Sequence, residues 1–251
     1  MHILLVNDDG FDSPFLPPLC QAAARRGHRV SVAAPRTQQS AKSHSFTVFE
    51  PLTVSPARMD GAAEAWRIDG TPADCARLGY MALSEQPVDL VISGINQGYN
   101  AGLATYVSGT VGAAREAAFA GYKAMAVSAD PSADAENLAL LADYAIRTGE
   151  KLMTYPAPPR AVCNLNMPPL PRERMKLTVV APISPDMYRD SYDRRVSPRG
   201  MLYFWLGPET PAASYTPHTD LWYLHEGHPT VTFLTPEPCD QSRFSDFPVE
   251  L

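Results

Sequence analysis

Apolar residues in this chain are concentrated in short runs, and longer segments with the periodicity of helices separate them. Runs of four or five residues that are wholly or mainly apolar are typical of strands buried on both faces of a parallel sheet. They lie at residues 3–6, 30–34, 88–92, 124–128 and 161–165. The alternation of strands and helices predicts an α/β fold with a doubly wound, mostly parallel sheet between two layers of helices.

Helix boundaries are indicated by capping residues. Ser13 and Pro14 are suited to the N-cap and first position of a helix that ends at Gly27, and Thr71-Pro72 repeats the pattern for a helix through residue 83. Ser108 precedes a helix at 111–120, and apolar residues at helical spacing predict a long helix over 133–153.

The second half of the chain differs in character, because most of its 25 prolines follow Tyr155. Prolines favour loops and the edges of sheets. Residues 177–180 read as a strand, and residues 201–206 and 230–234 alternate like the arms of a hairpin. We expect one domain over residues 1–251, with a core at about 1–180 and a protruding β-rich region at about 181–240.

Composition excludes several classes of protein. With a net charge of −6 and only 21 Lys and Arg among 251 residues, the chain does not resemble a binder of nucleic acid polymers. Its four cysteines lack the spacing of a zinc site or of a disulfide framework. We find no apolar stretch of membrane-spanning length and no signal peptide, so we expect no membrane association and a cytoplasmic location.

The most informative segment follows the first apolar run, where Asn7, Asp8, Asp9 and Gly10 stand in sequence. Two adjacent carboxylates at the end of a buried strand repel each other unless a cation or a shared proton offsets the charge. The pair therefore indicates either a hard metal ion or acid–base chemistry. Asn-Asp-Asp-Gly is also favourable turn chemistry, and this structural reading stays open.

Three further polar loops are expected at the same edge of the sheet. They contribute Ser40, Asn96 and the segment Ser108-Gly109-Thr110. Carboxylate, hydroxyl and amide oxygens without a nearby thiolate favour Mg²⁺ or Mn²⁺ over zinc. Ser-Gly-Thr at a helix start offers free backbone N–H groups and a positive dipole end, which suit a phosphate. The sequences of a dinucleotide-binding loop, a P-loop and a serine hydrolase elbow are absent.

Several motifs in series resemble the SurE survival-protein family over nearly the whole chain. They are Asn7-Asp8-Asp9-Gly10, Ser40 with Ser43-x-Ser45-x-Thr47, Gly70-Thr71-Pro72-x-Asp74-Cys75, Ser93-Gly94-Ile95-Asn96-x-Gly98-x-Asn100-x-Gly102, Ser108-Gly109-Thr110, Asn164-Leu165-Asn166-Met167-Pro168 and Thr219-Asp220. Each motif is weak alone, but their order and spacing together are specific.

The resemblance implies a metal-dependent phosphomonoesterase with a Rossmann-like core. Its implied substrates are nucleoside 5′- and 3′-monophosphates and, in addition, short polyphosphate. By that resemblance, one Mg²⁺ or Mn²⁺ per subunit is held by Asp8, Asp9, Ser40 and Asn96, with Asp8, Asp9 and Asn96 also taking catalytic roles. The resemblance also implies that Ser108, Gly109 and Thr110 bind the phosphate, with Asn7 and Asn100 beside them.

The resemblance also implies a homodimer or homotetramer formed through a C-terminal arm. We expect residues 201–234 to supply this arm, because their apolar side chains would otherwise form an exposed patch. The expected patch comprises Leu202, Phe204, Trp205, Leu221, Trp222 and Leu224.

The chain departs from the family pattern at three positions and in residues 227–234, an altered version of a hydrophobic strand motif. Ala41 and His218 replace residues that are commonly glycine in the family, and His44 replaces a small polar residue.

Two other functions are consistent with an acidic pair after the first strand. A phosphatase of the haloacid-dehalogenase type uses an Asp nucleophile in a D-x-D motif, but here the two aspartates are adjacent. A non-catalytic receiver-like module binds Mg²⁺ beside a third aspartate at the end of another core strand, and Ser93-Gly94-Ile95-Asn96 supplies none there. Both alternatives fit the residues less well than a nucleotidase.

Overall fold

The structure, a computed structural model, describes residues 1–186, 191–207 and 214–236. The strands are β1 (His2–Val6), β2 (Arg29–Pro35), β3 (Thr53–Pro56), β4 (Glu64–Asp69), β5 (Leu90–Gln97), β6 (Lys123–Ala129), β7 (Val162–Met167), β8 (Val179–Val180), β9 (Tyr192–Val196), β10 (Leu202–Leu206) and β11 (Thr230–Leu234). The helices are α1 (Leu16–Arg25), α2 (Pro72–Leu78), α3 (Gly109–Phe119), α4 (Ala135–Thr154) and α5 (Asp220–His225). Within these described ranges, no helix has the length and apolarity needed to span a membrane.

Strand β1 shows why the apolar runs form buried strands. Ile3 and Leu5 belong to one apolar cluster, which includes side chains of α1 and α4. Leu4 and Val6 belong to a second cluster, which includes side chains of α2 and α3. All four side chains are fully buried, so the strand has no solvent-facing side. This arrangement confirms the predicted sheet between two layers of helices.

The main sheet has the strand order β3-β4-β2-β1-β5-β6-β7-β11-β8. Strand β1 pairs in parallel with β2 on one side and with β5 on the other. The chain therefore builds one half of the sheet outward from β1, then crosses back to build the other half. In such sheets ligands bind beyond the carboxyl ends of the strands, at the point where the direction reverses. Here that point lies between β1 and β5.

The start of α1 differs from the prediction. The helix begins at Leu16 with Phe15 as its N-cap, and Ser13 instead accepts a hydrogen bond from the Phe15 amide at 3.3 Å. Pro17 and Pro18 occupy the first turn, where backbone N–H groups have no helical partner and a proline costs nothing. The helix therefore starts at Leu16, directly before these prolines, rather than at Pro14. By contrast, Thr71 and Ser108 cap α2 and α3 as expected.

The region after residue 180 is only partly a protrusion. β9 and β10 form a separate antiparallel hairpin with exposed residues on both faces. Strand β11, predicted as a hairpin arm, lies instead in the main sheet, antiparallel to β7 and parallel to β8. Leu221 and Leu224 of α5 are also buried, so they do not belong to an exposed patch. The chain thus returns to the core after residue 180.

Candidate active site

The two aspartates and Asn96 lie at the carboxyl ends of neighbouring strands. Asp8 and Asp9 directly follow β1, and Asn96 lies near the end of β5. Val6 of β1 is paired with Ser93 of β5, which places the two strand ends side by side. The carboxyl edge predicted from the sequence therefore brings these three side chains together.

Asp8 is almost fully buried and is held from two directions. Its Oδ1 accepts a hydrogen bond from Thr110 Oγ1 at 2.5 Å, and its carbonyl oxygen accepts one from the Gln39 amide at 2.7 Å. A Cβ at Gly109 would lie 3.0 Å from Asp8 Oδ2, closer than ordinary contacts allow. Glycine at the start of α3 thus leaves room for the carboxylate.

Asp9 and Asn96 are oriented by backbone groups. Asp9 Oδ2 accepts a hydrogen bond from the Gln97 amide at 3.0 Å. Asn96 Nδ2 donates to the Gly98 carbonyl oxygen at 2.8 Å, so its amide oxygen is the atom available to a ligand. The pairing of β5 with β6 shifts register between Ser93 and Asn96, an irregularity of the kind that re-aims side chains near active sites.

Ser40 is exposed on a loop that packs against α3. Ala41 and Ser43 in this loop have left-handed backbones, with φ of 59° and 53°. The loop is held by hydrogen bonds from the Ser43 amide to the Val107 carbonyl at 3.0 Å and between His44 Nε2 and Glu116 Oε2 at 3.0 Å. His44 therefore contacts the buried Glu116 of α3 and anchors the loop that carries Ser40.

The N-terminus of α3 lies beside Asp8. Ser108 is the N-cap, and its Oγ accepts a hydrogen bond from the Val111 amide at 3.1 Å. Ser108 also lines the cleft that contains Asp8 and Asn96. Thr110 is fully buried, and its hydroxyl is directed to Asp8. The side chain of Thr110 therefore positions a carboxylate rather than facing the cleft.

The two asparagines beside the site have different surroundings. Asn7 is fully buried, and its Nδ2 donates to the Gly10 carbonyl oxygen at 2.7 Å, which closes the turn that carries the aspartates. Its Oδ1 is a buried oxygen without a hydrogen-bond partner in the described part of the chain. Asn100 lines the cleft, and its Nδ2 donates to Ser128 Oγ at 2.9 Å. Asn7 thus shapes the turn, while Asn100 reaches the cleft.

Burial makes two ionised aspartates costly in this place. It raises the pKa of Asp8 to about 6, with a further contribution from the neighbouring Asp9 charge, while hydrogen bonds from Thr110 oppose the shift. Burial likewise raises the pKa of Asp9. A bound cation would reverse both effects, because it stabilises the ionised form.

The donor atoms fit a hard divalent ion. Among the described residues, no group of three or more His, Cys, Asp or Glu side chains is placed to hold a metal ion, so an ion beside the two aspartates would also need hydroxyl or amide oxygens. The side chains assigned to the ion by the resemblance, two carboxylates, the Ser40 hydroxyl and the Asn96 amide, offer only oxygen donors. Such sets favour Mg²⁺ or Mn²⁺.

The cleft beside these residues has a volume of about 610 Å³. Sequence analysis assigned no role to four lining residues with polar side chains, Gln97, Tyr99, Asp130 and Tyr215. Asp130 follows β6 directly, so the rule that places ligands at strand ends would have found it. Tyr215 lies far along the chain, and no local signal marks it.

Comparison with known proteins identifies the family. The family profile described as "Survival protein SurE" matches residues 3–190. A "5′-nucleotidase SurE" from Nitratidesulfovibrio vulgaris (strain DP4) is 41% identical over 234 residues, covering 93% of both chains. Another of the same name, from Synechococcus sp. (strain JA-3-3Ab), is 37% identical over 240 residues, covering 94% of this chain and 92% of the relative.

A solved structure shows the same similarity in three dimensions. The crystal structure of the SurE protein from Aquifex aeolicus superposes with a TM-score of 0.81 at 31% sequence identity, and the match covers 98% of each chain. The sequence and the structure both match SurE proteins over most of the chain. The chain belongs to the SurE family.

Proposed function

We propose that this protein is a metal-dependent 5′-nucleotidase that hydrolyses nucleoside 5′- and 3′-monophosphates to nucleoside and phosphate. Relatives named 5′-nucleotidase that cover more than nine-tenths of the chain support the activity. The structural observation that carries the proposal is the position of Asp8 and Asp9 at the switch point of the sheet, beside Asn96 and the N-terminus of α3.

Asp8, Asp9, Ser40 and Asn96 hold one Mg²⁺ or Mn²⁺ per subunit in this proposal. When bound, the ion supplies positive charge that offsets the phosphate and lowers the pKa of a neighbouring water. Asp8 is preorganised for this role by the hydroxyl of Thr110. Asp9 is preorganised by the Gln97 amide.

The residues at the start of α3 bind the phosphate group. Gly109 and Thr110 present helix amides that have no partner within the helix, and the helix dipole adds partial positive charge there. The Ser108 amide donates to the Ala104 carbonyl oxygen at 3.1 Å, so Ser108 contributes its hydroxyl. Asn100 lies across the same cleft. These donors stabilise the negative charge of the transferring group.

Hydrolysis forms a P–O bond from water and breaks the ester P–O bond, so the sugar oxygen leaves as a hydroxyl. One of the two aspartates, Asp8 or Asp9, accepts the proton of the attacking water, and the departing sugar oxygen takes a proton from solvent. The dehalogenase and receiver readings lose their support, because the chain belongs to a different family.

A phosphate-release assay tests the proposal. The purified protein is stripped of metal, and Mg²⁺ or Mn²⁺ is restored singly against nucleoside 5′- and 3′-monophosphates, ribose 5-phosphate, p-nitrophenyl phosphate and short polyphosphate. We expect turnover of the nucleotides only after an ion is restored. Full activity with negligible metal content would contradict metal dependence, and no turnover of any ester with either ion would contradict the proposed function.

The proposal also assigns an assembly and a compartment. We infer a homodimer or homotetramer built through the β9–β10 hairpin, because Phe204 and Trp205 are more than half exposed on a two-stranded ribbon that is marginally stable by itself.

A cytoplasmic location is supported by the three cysteines in the described residues, Cys20, Cys75 and Cys163, which are free thiols and buried. Cys239 lies outside the described residues.

A further inference from the structure

Two motifs of the sequence remain without a role in the proposed hydrolysis. They are Asn164 and Asn166 on β7, and Thr219-Asp220 at the start of α5. Both converge on the segment from Tyr99 to Gly102, which follows the end of β5. The segment is held from one side by the asparagines and from the other by the aspartate.

The asparagines fix the backbone of Asn100. Asn166 Oδ1 accepts a hydrogen bond from the Asn100 amide at 2.9 Å. The Asn100 carbonyl oxygen accepts two hydrogen bonds, from Asn164 Nδ2 at 2.7 Å and from Asn166 Nδ2 at 3.1 Å. All three residues are buried, so the loop is anchored to the sheet without competition from water.

Asp220 joins helix α5 to the same segment. Its carboxylate is fully buried and accepts hydrogen bonds from the amides of Gly102 at 2.9 Å, Ser184 at 2.8 Å and Leu221 at 2.8 Å. A Cβ at Gly102 would lie 2.7 Å from Leu221 Cδ1, so the helix packs directly on the glycine. These hydrogen bonds and this packing therefore fix the position of α5 relative to the loop, and the two elements form the sides of a pocket.

Between these walls lies a side pocket of about 230 Å³. Its lining includes Tyr99, Tyr215, Leu221, Leu224, His225 and Asp130. Tyr99, Asp130 and Tyr215 also line the cleft that contains Asp8, so the two spaces adjoin. The side pocket has a buried apolar floor and aromatic rings, with the Tyr215 and His225 rings 5.8 Å apart.

We propose that this side pocket binds the nucleobase of the substrate and that Tyr215 determines the preference for nucleotides over simpler phosphate esters. This inference rests on the proposed function for its substrate. An apolar floor and aromatic faces suit a planar heterocycle, because base–aromatic stacking tolerates any base. Asp130 lines both spaces and adds negative charge beside the side pocket, whereas the N-terminus of α3 beside Asp8 suits a phosphate, so we place the phosphate at the Asp8 end of the cleft.

The test compares Tyr215→Leu, Tyr215→Phe and the control Tyr155→Leu. Tyr155 is a half-exposed tyrosine that stacks on Phe233 with ring centroids 5.8 Å apart, and it does not line either space. For each protein, kcat/KM is measured for adenosine 5′-monophosphate, uridine 5′-monophosphate and ribose 5-phosphate with Mn²⁺ present. Thermal melting checks that each variant folds.

We expect Tyr215→Leu to lower the ratio of nucleotide kcat/KM to ribose 5-phosphate kcat/KM by about 5- to 150-fold, the loss that removal of one stacking ring produces. Tyr215→Phe keeps the ring and retains the ratio, as does Tyr155→Leu. An unchanged ratio in Tyr215→Leu would overturn the pocket while leaving the nucleotidase proposal intact.

If the protein turns over none of these esters, the proposed function fails, but the side pocket can still be tested by measuring ligand binding directly. Adenosine binding is measured by calorimetry on the same proteins. Weaker binding to Tyr215→Leu than to Tyr215→Phe supports the pocket. Equal binding to both variants, or no binding to the unmodified protein, would overturn it.

Discussion

The hydroxyl of Thr110 donates to Asp8 Oδ1 at 2.5 Å, although the two residues are 102 positions apart in the chain. The bond connects the first turn of α3 to the end of β1. It thereby couples the helix terminus proposed to bind phosphate with the carboxylate proposed to bind a metal ion, and it leaves Asp8 Oδ2 as the oxygen without this hydrogen bond.

Two substitutions of Thr110 distinguish the effect of its hydroxyl on catalysis from the effect of its side-chain shape. Thr110→Val is expected to lower kcat by at least about tenfold. A hydrogen bond to a charged group contributes about 1.5–3 kcal/mol of stabilisation, and we expect the reacting state to lose this contribution when the hydroxyl is removed. Thr110→Ser keeps the hydroxyl and most of the rate. Steady-state kinetics at saturating metal distinguish the two variants. Equal rates for them would show that the bond has no part in the reaction.

Asp8→Asn and Asp9→Asn are each expected to lose orders of magnitude in turnover while the protein stays folded. Each substitution removes one negative charge from the proposed ion site but keeps the volume of the side chain. Calorimetric titration with Mn²⁺ should show weakened binding in both. Asp143→Asn, at a half-exposed position on α4, serves as the control and should match the unmodified protein. Near-normal turnover in either variant would remove that residue from the site.

Ala41 has a φ of 59°, a conformation that costs an L-residue about 1–2 kcal/mol and glycine almost nothing. Ala41→Gly should therefore raise the free energy of unfolding by about 0.5–1 kcal/mol, after the greater freedom of glycine in the unfolded chain is subtracted. Ala139→Gly, at an exposed helical position in α4, should lower it by about 1 kcal/mol. Urea unfolding measures both. Destabilisation by Ala41→Gly would contradict the expected strain.

Asp220 gives a pH dependence with a definite sign. Burial raises its pKa in the folded protein, although backbone amides from Gly102, Ser184 and Leu221 oppose the shift. The folded state then binds more protons than the unfolded state between the unfolded pKa, about 4, and the raised value. Its contribution to stability is therefore lost as the pH rises through that window.

Urea unfolding of the unmodified protein and of Asp220→Asn, at several pH values between 4 and 7, isolates this contribution. The free energy of unfolding of the unmodified protein, relative to the variant, should fall as the pH rises. A difference that stays constant or grows would contradict a raised pKa.

The β9–β10 hairpin supplies the test of assembly. The double variant Phe204→Ser, Trp205→Ser removes two exposed aromatic side chains of β10 and should shift the protein to monomer. Light scattering at low micromolar concentration measures the mass. Met81→Ser, an exposed apolar position outside the hairpin, should leave the mass unchanged. A dimer that persists in the double variant would place the interface elsewhere.

The local sequence pattern was sufficient to predict much of the fold of this protein. The apolar run before Asp8 identified a strand buried on both faces, and the capping residues Thr71 and Ser108 fixed two helix starts. Both features depend on side-chain periodicity and on hydrogen bonds within a few residues, which the sequence displays directly. Because parallel strands carry their loops to one edge, the proximity of Asp8, Asp9 and Asn96 also followed from the sequence.

Tertiary structure decided what depends on distant partners. The alternation in β11 marked a strand correctly, but its place beside β7 is set by pairing across more than sixty residues. The role of Thr110 as a donor to Asp8, and the burial of Leu221 against Gly102, depend in the same way on how helices pack on the sheet. Periodicity specifies which side of an element is apolar, whereas packing alone determines what that side meets.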